Sequence, residues 1–462
     1  MKTKSQSLYE ELKRLILEGK YKPHEKLPSK RKLAYAQQIS IFTVQMAYDQ
    51  LLMEGYIFTK EKVGYFVNEG IIQIKSNIQE NTTFTVEEKM NYELSFKTNV
   101  VDNGLFPLST WNKLSREVLS SDIYPLLNLT PAQGILELRN EIVKYLDIYR
   151  NIQVSAEQVI IGSGSQPLLS VIVELLGRKH IYAVENPGYL RIYQTLVGLG
   201  VDVTPVDLDE HGLSIELLSN TNASIIHITP AHQYPTGIVM PVQRRLALLE
   251  WALDDNRYII EDDYDSEFRF GGAPVSALFG LTNHSKVIYM NSFSKSLGPA
   301  FKMGYIVLPK ELLPRYQLIK SHLSCTVPNF EQYILYKFMK ENHFDRHLSK
   351  TRLIYRKKLQ IIESILSDYP NFEMVGSEAG LHFILRVHTT MKEVELIKVL
   401  REKKIDIKGL HEFDIKESHY EVPTLVIGYS GIPIELIKDH ITNLCRLIDD
   451  IIQKQAQINV FI

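Results

Sequence analysis

The sequence has few cysteines and no long apolar run. Only two of its 462 residues are cysteine, Cys325 and Cys445, and their spacing fits neither a CxxC metal motif nor a disulfide framework. The first residues are polar and lack the apolar core of a signal peptide, and no stretch approaches the ~18 apolar residues of a membrane span. We therefore expect free thiols, no membrane partner and a cytoplasmic location.

The chain also has little net charge, but the charge is unevenly distributed. The total is −2, whereas residues 1–75 hold 13 Lys or Arg against 8 Asp or Glu. The length exceeds the ~250–300 residues at which a single core stops growing, so we expect more than one domain. A small basic head on a larger acidic body indicates that the head binds an anion.

The basic head has the pattern of three short helices followed by a hairpin. Apolar residues at helical spacing predict the first helix within residues 7–19. Ser29 and Ser40 are suitable N-caps for the second and third helices. The β-rich runs at 56–59 and 65–67 flank a short turn, which predicts a hairpin. These elements together predict a winged helix-turn-helix (α+β) domain.

The head also resembles a known family. The string from "LYEELKRLILEGKYKPHEKLPSKRKLA" through "TVQMAYDQLLMEGYI" resembles the DNA-binding domain of GntR-type bacterial regulators across almost all of residues 7–68. The resemblance implies double-stranded operator DNA as a partner, although the pattern alone also fits a helical domain whose lysines form a solvated face. This chain departs from the family at Ile41, where an Arg is usual, and at His24, where a Gly is usual.

Two groups of side chains in the head are expected to contact DNA. The second helix offers three cations for phosphates, and the third helix offers polar side chains for bases. The expected DNA-binding residues are Lys30, Arg31, Lys32, Ser40, Thr43 and Gln45, of which Thr43 and Gln45 face bases.

The rest of the chain divides into a linker and an α/β body. Residues 71–91 are rich in Asn, Thr, Gln and Glu and are interpreted as a linker after a head at 1–70. In residues 92–310, strand-like and helical stretches alternate, which predicts an α/β domain with a largely parallel sheet. Long charged helices and two apolar runs follow, so residues 311–462 are predicted to form a smaller α+β subdomain.

Three segments of the body carry chemistry. In "VIIGSGSQPLL" a glycine turn joins a strand to a helix that starts near Ser165, which is a suitable phosphate cradle but also a routine turn. "EDDYDSEF" places Asp262 and Tyr264 at the carboxyl end of a strand, where they would suit a pyridinium nitrogen and a phenolate oxygen unless the loop is merely solvated. "SFSK" places Lys295 beyond another strand, where a lysine can form a Schiff base or simply be solvated.

These segments together resemble one class of enzymes. In chain order, GSGSQ, "ENPGYLR", "TPAHQYPTG", "EDDYDSEF" and "SFSKSLGP" resemble the landmarks of fold-type I pyridoxal-phosphate (PLP) aminotransferases over roughly residues 92–462. The resemblance implies a PLP Schiff base on Lys295, with Asp262 at the pyridine nitrogen, Tyr264 at the 3-hydroxyl oxygen and Tyr189 stacked on the ring. It implies a phosphate site formed by Ser163, Gly164, Ser165, Gln166, Ser292 and Ser294, with Lys302 where the family usually has Arg.

A GntR-type head joined to such a body resembles the MocR subfamily of bacterial transcription regulators. The resemblance implies a head-to-tail homodimer that senses an amine or amino-acid effector, or PLP itself, and regulates transcription instead of catalysing a reaction. An aminotransferase with an appended head is the alternative, and a DNA-binding dimer without cofactor is a third.

Two departures in the body bear on the choice between regulator and enzyme. Tyr234 stands where aminotransferases have an Asn, which favours the regulator. The C-terminal stretch "EVPTLVIGYSGIP" contains no arginine, although aminotransferases hold the substrate carboxylate with one there. Arg191 is the only arginine of the matched motifs that could bind an effector's acid group.

Overall fold

A computed structural model describes residues 3–70, 91–121, 124–253, 257–271, 276–281, 286–418 and 420–460. These residues form two compact units, Met1–Lys89 and Met90–Ile462. The predicted linker at 71–91 lies outside the described residues except for its last residue.

The first unit is a winged helix. Its elements are α1 (Lys4–Leu17), α2 (Lys30–Ala36), α3 (Ile41–Met53), β1 (Ile57–Lys60) and β2 (Gly64–Val67). The predicted caps are confirmed, because Ser29 Oγ accepts from the backbone N–H of Lys32 at 3.3 Å and Ser40 Oγ accepts from that of Thr43 at 3.0 Å. After α3, Gly55 adopts φ +76°, a conformation that favours glycine, and the chain enters the antiparallel hairpin.

The second unit contains the remaining elements. They are β3 (Leu94–Ser95), α4 (Leu108–Leu119), α5 (Tyr124–Leu127), α6 (Leu136–Arg150), β4 (Val159–Gly162), α7 (Ser165–Leu176), β5 (Ile181–Asn186), α8 (Leu190–Gly198), β6 (Asp202–Asp209), β7 (Gly212–Leu213), α9 (Ile215–Ser219), β8 (Ile225–Ile228), α10 (Val242–Leu253), β9 (Tyr258–Asp262), α11 (Leu278–Leu281), β10 (Val287–Ser292), β11 (Gly304–Val307), α12 (Leu313–Ile319), α13 (Asn329–Lys340), α14 (His343–Leu366), β12 (Phe372–Val375), β13 (His382–Val387), α15 (Glu393–Glu402), β14 (Ile405–Asp406), β15 (Lys408–Gly409), β16 (Thr424–Gly428) and α16 (Ile434–Val460).

The main sheet has the strand order β4-β11-β10-β9-β8-β5-β6-β7. It is mixed, because β11 runs antiparallel to β10 and β4, and β7 runs antiparallel to β6. Strands β5, β8, β9 and β10 are parallel, and β4 points the same way because two antiparallel pairings separate it from β10. The carboxyl ends of these five strands therefore meet at one edge of the sheet, which is where ligands bind in such folds.

Alternating apolar residues pack the sheet between two layers of helices. Ile160 and Ile260 are buried in a core with residues of α7, α8 and α12. Their neighbours Ile161 and Ile259 point to the opposite face and are buried in a core with residues of α6, α10 and α13. This three-layer arrangement confirms the predicted α/β body.

The smaller subdomain is built on a second sheet. Its antiparallel strands have the order β12-β13-β16-β15, and α14 contacts both β12 and α16. A short parallel pair, β3 with β14, joins the start of the body to this subdomain. Across the described residues, every helix is too short or too polar to span a bilayer.

Candidate functional site

Lys295 lies in a tight turn that follows β10 at the ligand-binding edge. The turn is closed by the hydrogen bond from the Leu297 N–H to the Phe293 carbonyl at 2.8 Å. The Lys295 ammonium donates to the Thr98 carbonyl, and burial lowers its pKa, while Asp265 opposes that change. A buried amine with a lowered pKa is the form of lysine that attacks an aldehyde.

Asp262 ends β9 beside a histidine that the sequence did not single out. The Asp262 Oδ2 lies 3.3 Å from Nε2 of His227 on the neighbouring strand β8. The buried Glu185 stands near this pair and accepts from the Thr229 N–H at 3.1 Å and from its hydroxyl at 2.7 Å. Burial raises the pKa of Glu185 to about 7.

Tyr264 lies next to a buried histidine and aspartate. Its hydroxyl is 3.0 Å from Nδ1 of His232, and the same nitrogen is 3.0 Å from the Asp265 carboxylate. Because a carboxylate only accepts hydrogen bonds, the Nδ1 proton must point to Asp265. The Tyr264 proton is then left to donate elsewhere, which is what a phenolate oxygen on a bound ring requires.

A cluster of aromatic rings forms one wall of the site. Tyr189 is the residue before the first turn of α8, and its ring meets the Tyr234 ring edge-on with 5.4 Å between the ring centroids. Tyr234 also meets Tyr264 at 5.9 Å, and its hydroxyl bonds Thr98 Oγ1 at 2.6 Å. Tyr234 therefore contacts the rings of both Tyr189 and Tyr264. It stands where aminotransferases usually have an asparagine.

The glycine turn after β4 forms the other end of the site. Gly164 adopts φ +90° and α7 begins at Ser165, where the predicted helix start is confirmed. The Ser163 N–H is already bonded to Thr326 Oγ1 at 2.8 Å, whereas the first N–H groups of α7 have no carbonyl of their own helix to bond. Gln166 is exposed and donates to Thr195 Oγ1 at 3.2 Å.

Strand β11 connects this turn with the serines near Lys295. Gly304 pairs with both Gly162 and Ser292, so the two strand ends are about 10 Å apart. A Cβ at Gly304 would lie 2.7 Å from the Asn291 carbonyl, which explains the glycine. Ser294 follows Ser292 in the Lys295 turn, and Lys302 precedes β11 with φ +31° and is exposed.

A cavity of about 370 Å³ lies next to Thr98, whose carbonyl accepts from Lys295. Tyr189 and Tyr234 of the aromatic cluster also line it, whereas Lys295, Asp262 and Tyr264 are not among its lining residues. Arg191 is the only arginine among the described residues that line it, and Val426 of β16 supplies an apolar wall from the C-terminal stretch. The cavity therefore has a single guanidinium available to a carboxylate.

Other charges in this cavity are already partnered. Lys97 pairs with Asp406 at 2.7 Å, and Glu412 pairs with Arg401 at 2.7 Å. Lys408 lies over the Phe413 ring at 5.4 Å. Lys408 is a cation of this cavity, besides Arg191 and Lys97, that the sequence motifs did not indicate.

A network of buried charged groups includes Asp263, the residue after Asp262. Arg150 pairs with Asp263 at 2.6 Å, and the Tyr289 hydroxyl donates to the same carboxylate at 2.6 Å. Burial and Asp263 together raise the pKa of Glu261 and of Glu267 to about 7. Asp263, which shares the acidic motif, is therefore a structural residue.

The predicted DNA contacts of the head are divided between free and engaged side chains. Arg31 and Lys32 are exposed on α2. Lys30 donates to the Gln45 side-chain oxygen, while Ser40 and Thr43 hydroxyls bond each other at 2.8 Å. The two predicted base-reading residues are thus already hydrogen-bonded within the head.

Sequence comparisons match both units to known families. Residues 94–419 match the family Aminotransferase class I and II, and residues 4–67 match Bacterial regulatory proteins, gntR family. The HTH-type transcriptional regulator YdeL of Bacillus subtilis is 33% identical over 446 residues, which is 95% of each chain. The probable rhizopine catabolism regulatory protein MocR of Rhizobium meliloti is 27% identical and covers 95% of this chain and 92% of its own.

Similar solved structures are aminotransferases. An archaeal alanine:glyoxylate aminotransferase is 25% identical with a TM-score of 0.70 and covers 78% of this chain and 92% of its own. Among the sequence relatives, the pyridoxine biosynthesis regulator PdxR of Corynebacterium glutamicum is 30% identical and covers 82% of this chain and 82% of its own. The chain therefore belongs to the MocR subfamily of GntR-type transcription regulators, with a winged-helix head joined to an aminotransferase class I and II body.

Proposed function

We propose that this protein is a PLP-dependent transcription regulator whose head binds operator DNA and whose body senses PLP or an amine. The observation that carries the proposal is the buried Lys295 amine, whose acceptor Thr98 lines a cavity of about 370 Å³, on a chain that also carries a cationic winged helix. A small molecule in that cavity would contact Thr98, which accepts from Lys295, and Tyr234, which packs against Tyr264.

The side chains at the sheet edge fit PLP, which supplies an aldehyde that condenses with primary amines. Lys295 would offer a buried amine to that aldehyde, and Asp262 would accept a hydrogen bond from the ring nitrogen. Tyr264 has a hydroxyl proton to donate to the 3-oxygen, because His232 gives its own proton to Asp265. The N-terminus of α7 and the serines after β4 and β10 suit the phosphate.

The effector classes follow from the cations of the cavity. A carboxylate that enters without a charge partner loses several kcal/mol in desolvation, which is most of the ~8 kcal/mol of micromolar binding. An effector amine therefore needs an acid group that reaches Arg191 or Lys408, another cation of the cavity. The other candidate effector is PLP itself. A lysine such as Lys302 lacks the planar fork with which arginine binds phosphate, so PLP would be held less tightly and its occupancy would follow the cellular PLP concentration.

The second candidate function is aminotransferase activity. Lys295, Asp262 and Tyr264 together favour it, because this is the set of side chains that such chemistry uses. Against it stands the C-terminal stretch EVPTLVIGYSGIP, which lines the cavity with the apolar Val426 and contains no arginine to bind a substrate carboxylate. Steady turnover of an amino acid with a keto acid by the purified protein would establish the enzyme and reject a purely sensing body.

We further propose a head-to-tail homodimer. Supporting it, Tyr124, Leu127 and Leu129 are strongly exposed apolar residues close together in the chain, with Leu119 and Leu136 on either side. Apolar surface of this kind marks interaction sites. Sedimentation of the purified protein would give a dimer, and Leu129→Asp would shift it toward monomer.

Footprinting on the DNA upstream of the gene tests the DNA-binding part of the proposal. Full-length protein is expected to protect a site, and protein that lacks residues 1–70 is expected to protect none. Equal protection by both chains would place DNA binding outside the head and reject the proposal.

A further inference from the structure

The outward face of α3 is apolar, which is unusual for a helix at a DNA-binding surface. Phe42, Met46 and Met53 are 72%, 49% and 82% exposed, and Ile41 at the first turn is 51% exposed. At 100° per residue, Phe42, Met46 and Met53 share a face opposite the buried residues of the helix. The inward face already fills the core with Val44, Ala47, Tyr48 and Leu51.

The same helix has no cation with which to read guanine. Its sequence, IFTVQMAYDQLLM, contains no Lys, Arg or His. Arginine or lysine bonded to the guanine O6 and N7 is the commonest specific contact in the major groove. Readout of guanine by α3 through that contact is therefore absent.

The polar side chains of α3 near its start are engaged inside the head. The Gln45 oxygen accepts from Lys30, and its amide nitrogen donates to Asp49. Thr43 bonds the Ser40 hydroxyl at 2.8 Å, and that hydroxyl also caps the helix. Hydrogen bonds to base edges would have to replace these bonds, whereas the apolar side chains are free to make contacts without such a cost.

Charge complementarity identifies duplex DNA as the occupant of this face. Arg31 and Lys32 are exposed on α2, and Lys60 and Lys62 are exposed at the hairpin. These cations lie on elements to either side of α3 in the chain, within a head that carries 13 Lys or Arg against 8 Asp or Glu over residues 1–75. In a helix-turn-helix domain the second helix of the motif, here α3, enters the major groove while phosphates are bound around it.

The apolar group that the major groove offers is the 5-methyl group of thymine. We propose that α3 recognises its operator through thymine methyl groups, contacted by Ile41, Phe42 and Met46, so that the recognised half-site is rich in A·T pairs. This inference rests on the proposed function, because it requires that the head binds operator DNA. It adds the chemical basis of sequence preference.

Replacement of thymine by deoxyuridine tests the inference, because it removes the methyl group and keeps the base pairing. A preferred site is first selected from random duplexes with the full-length protein, and each thymine is then replaced in turn at one fixed salt concentration. We expect two or more positions at which the replacement weakens binding about three- to fivefold, the effect of one buried methyl group.

Variants connect the methyl groups to particular side chains. Phe42→Ala, Ile41→Ala and Met46→Ala should each abolish the thymine–uracil difference at one position or at adjacent positions, since the partner of the methyl group is gone. Met53→Ala is the matched control: Met53 is exposed on the same face but lies at the other end of α3, so the difference should persist.

The contrary outcomes are distinct. Binding that is equally strong with thymine and uracil at every position would overturn the inference and leave the regulator proposal intact. A uniform loss on both DNAs in the Phe42→Ala protein would also overturn it, since that result indicates a structural or protein-docking role for this face. A full-length protein that selects no sequence at all would instead reject the proposed DNA-binding function.

Discussion

At the scale of single residues, Lys295 has the most directly observable chemistry. The buried amine should hold PLP covalently, so purified protein loaded with PLP is expected to show a visible absorbance band that borohydride fixes to the chain. Lys295→Ala should abolish both the band and the fixation. Lys302→Ala is the control, because it keeps the amine and should keep the band while requiring more PLP. An unchanged band in the Lys295→Ala protein would place the covalent site elsewhere.

A second residue-scale prediction concerns the buried Glu185. Burial raises its pKa from 4.5 to about 7, against the hydrogen bonds from Thr229. Between pH 4.5 and about 7, Glu185 keeps a proton in the folded chain that it releases in the unfolded chain. The stabilising contribution of this carboxyl is therefore complete below pH 4.5 and is lost as the pH rises to about 7. The free energy of unfolding decreases by up to about 1.4 kcal/mol per pH unit in this range.

Glu185→Gln should flatten this dependence, since glutamine stays neutral at every pH. We expect the decrease in unfolding free energy from pH 5 to 8 to be about 1–3 kcal/mol smaller than in the wild type. Urea unfolding at stepped pH measures it, with the exposed Glu395→Gln as a control. Superimposable profiles for wild type and Glu185→Gln would contradict the assigned pKa.

At the scale of elements, α2 is expected to bind phosphates without reading sequence. Arg31→Ala should weaken binding to all duplexes alike and reduce the salt dependence by about 0.9 on log–log axes, the contribution of one neutralised phosphate. Phe42→Ala is the comparison, because it should alter preference among sequences. Titration of specific and random duplexes at several salt concentrations measures both effects. A loss confined to the specific duplex in the Arg31→Ala protein would assign Arg31 to a base.

Elements with local signals could be predicted from the sequence. The caps Ser29 and Ser40, the helix start at Ser165 and the strand that ends at Asp262 all depend on residues close together in the chain, and the structure has them. The antiparallel direction of β11 could not be predicted, because pairing with both β4 and β10 is decided by tertiary packing.

The site was predictable in its motifs but not in its contacts. His232 lies in the TPAHQYPTG motif and Asp265 in the EDDYDSEF motif, yet only the fold brings the His232 Nδ1 to both Asp265 and Tyr264. Thr98 is 197 residues from Lys295, and Lys408 is also distant in sequence from the conspicuous motifs. Long-range contacts of this kind leave no local pattern.

At the scale of the whole molecule, the cavity should discriminate among amines. Holo protein is expected to bind common α-amino acids poorly and to prefer amines whose acid group reaches Arg191. Calorimetric titration with amino acids, amines and ω-amino acids, repeated in Arg191→Ala, measures this selectivity. Arg386→Ala is a control, because Arg386 is exposed and is not among the residues that line the cavity. Tight binding of an α-amino acid that survives Arg191→Ala would show that another residue, such as Lys408, holds the carboxylate.

We propose that PLP bound at Lys295 controls DNA binding by the head. This claim is tested most directly by footprinting the upstream DNA with apo and PLP-loaded protein, in the wild type and in Lys295→Ala. Coupling between two sites is typically 5–150-fold in affinity, so we predict that PLP shifts the wild-type affinity at least fivefold or changes the protected region. The Lys295→Ala protein should show no such response. Identical footprints of wild-type protein with and without PLP, when absorbance confirms that PLP is bound, would contradict the claim.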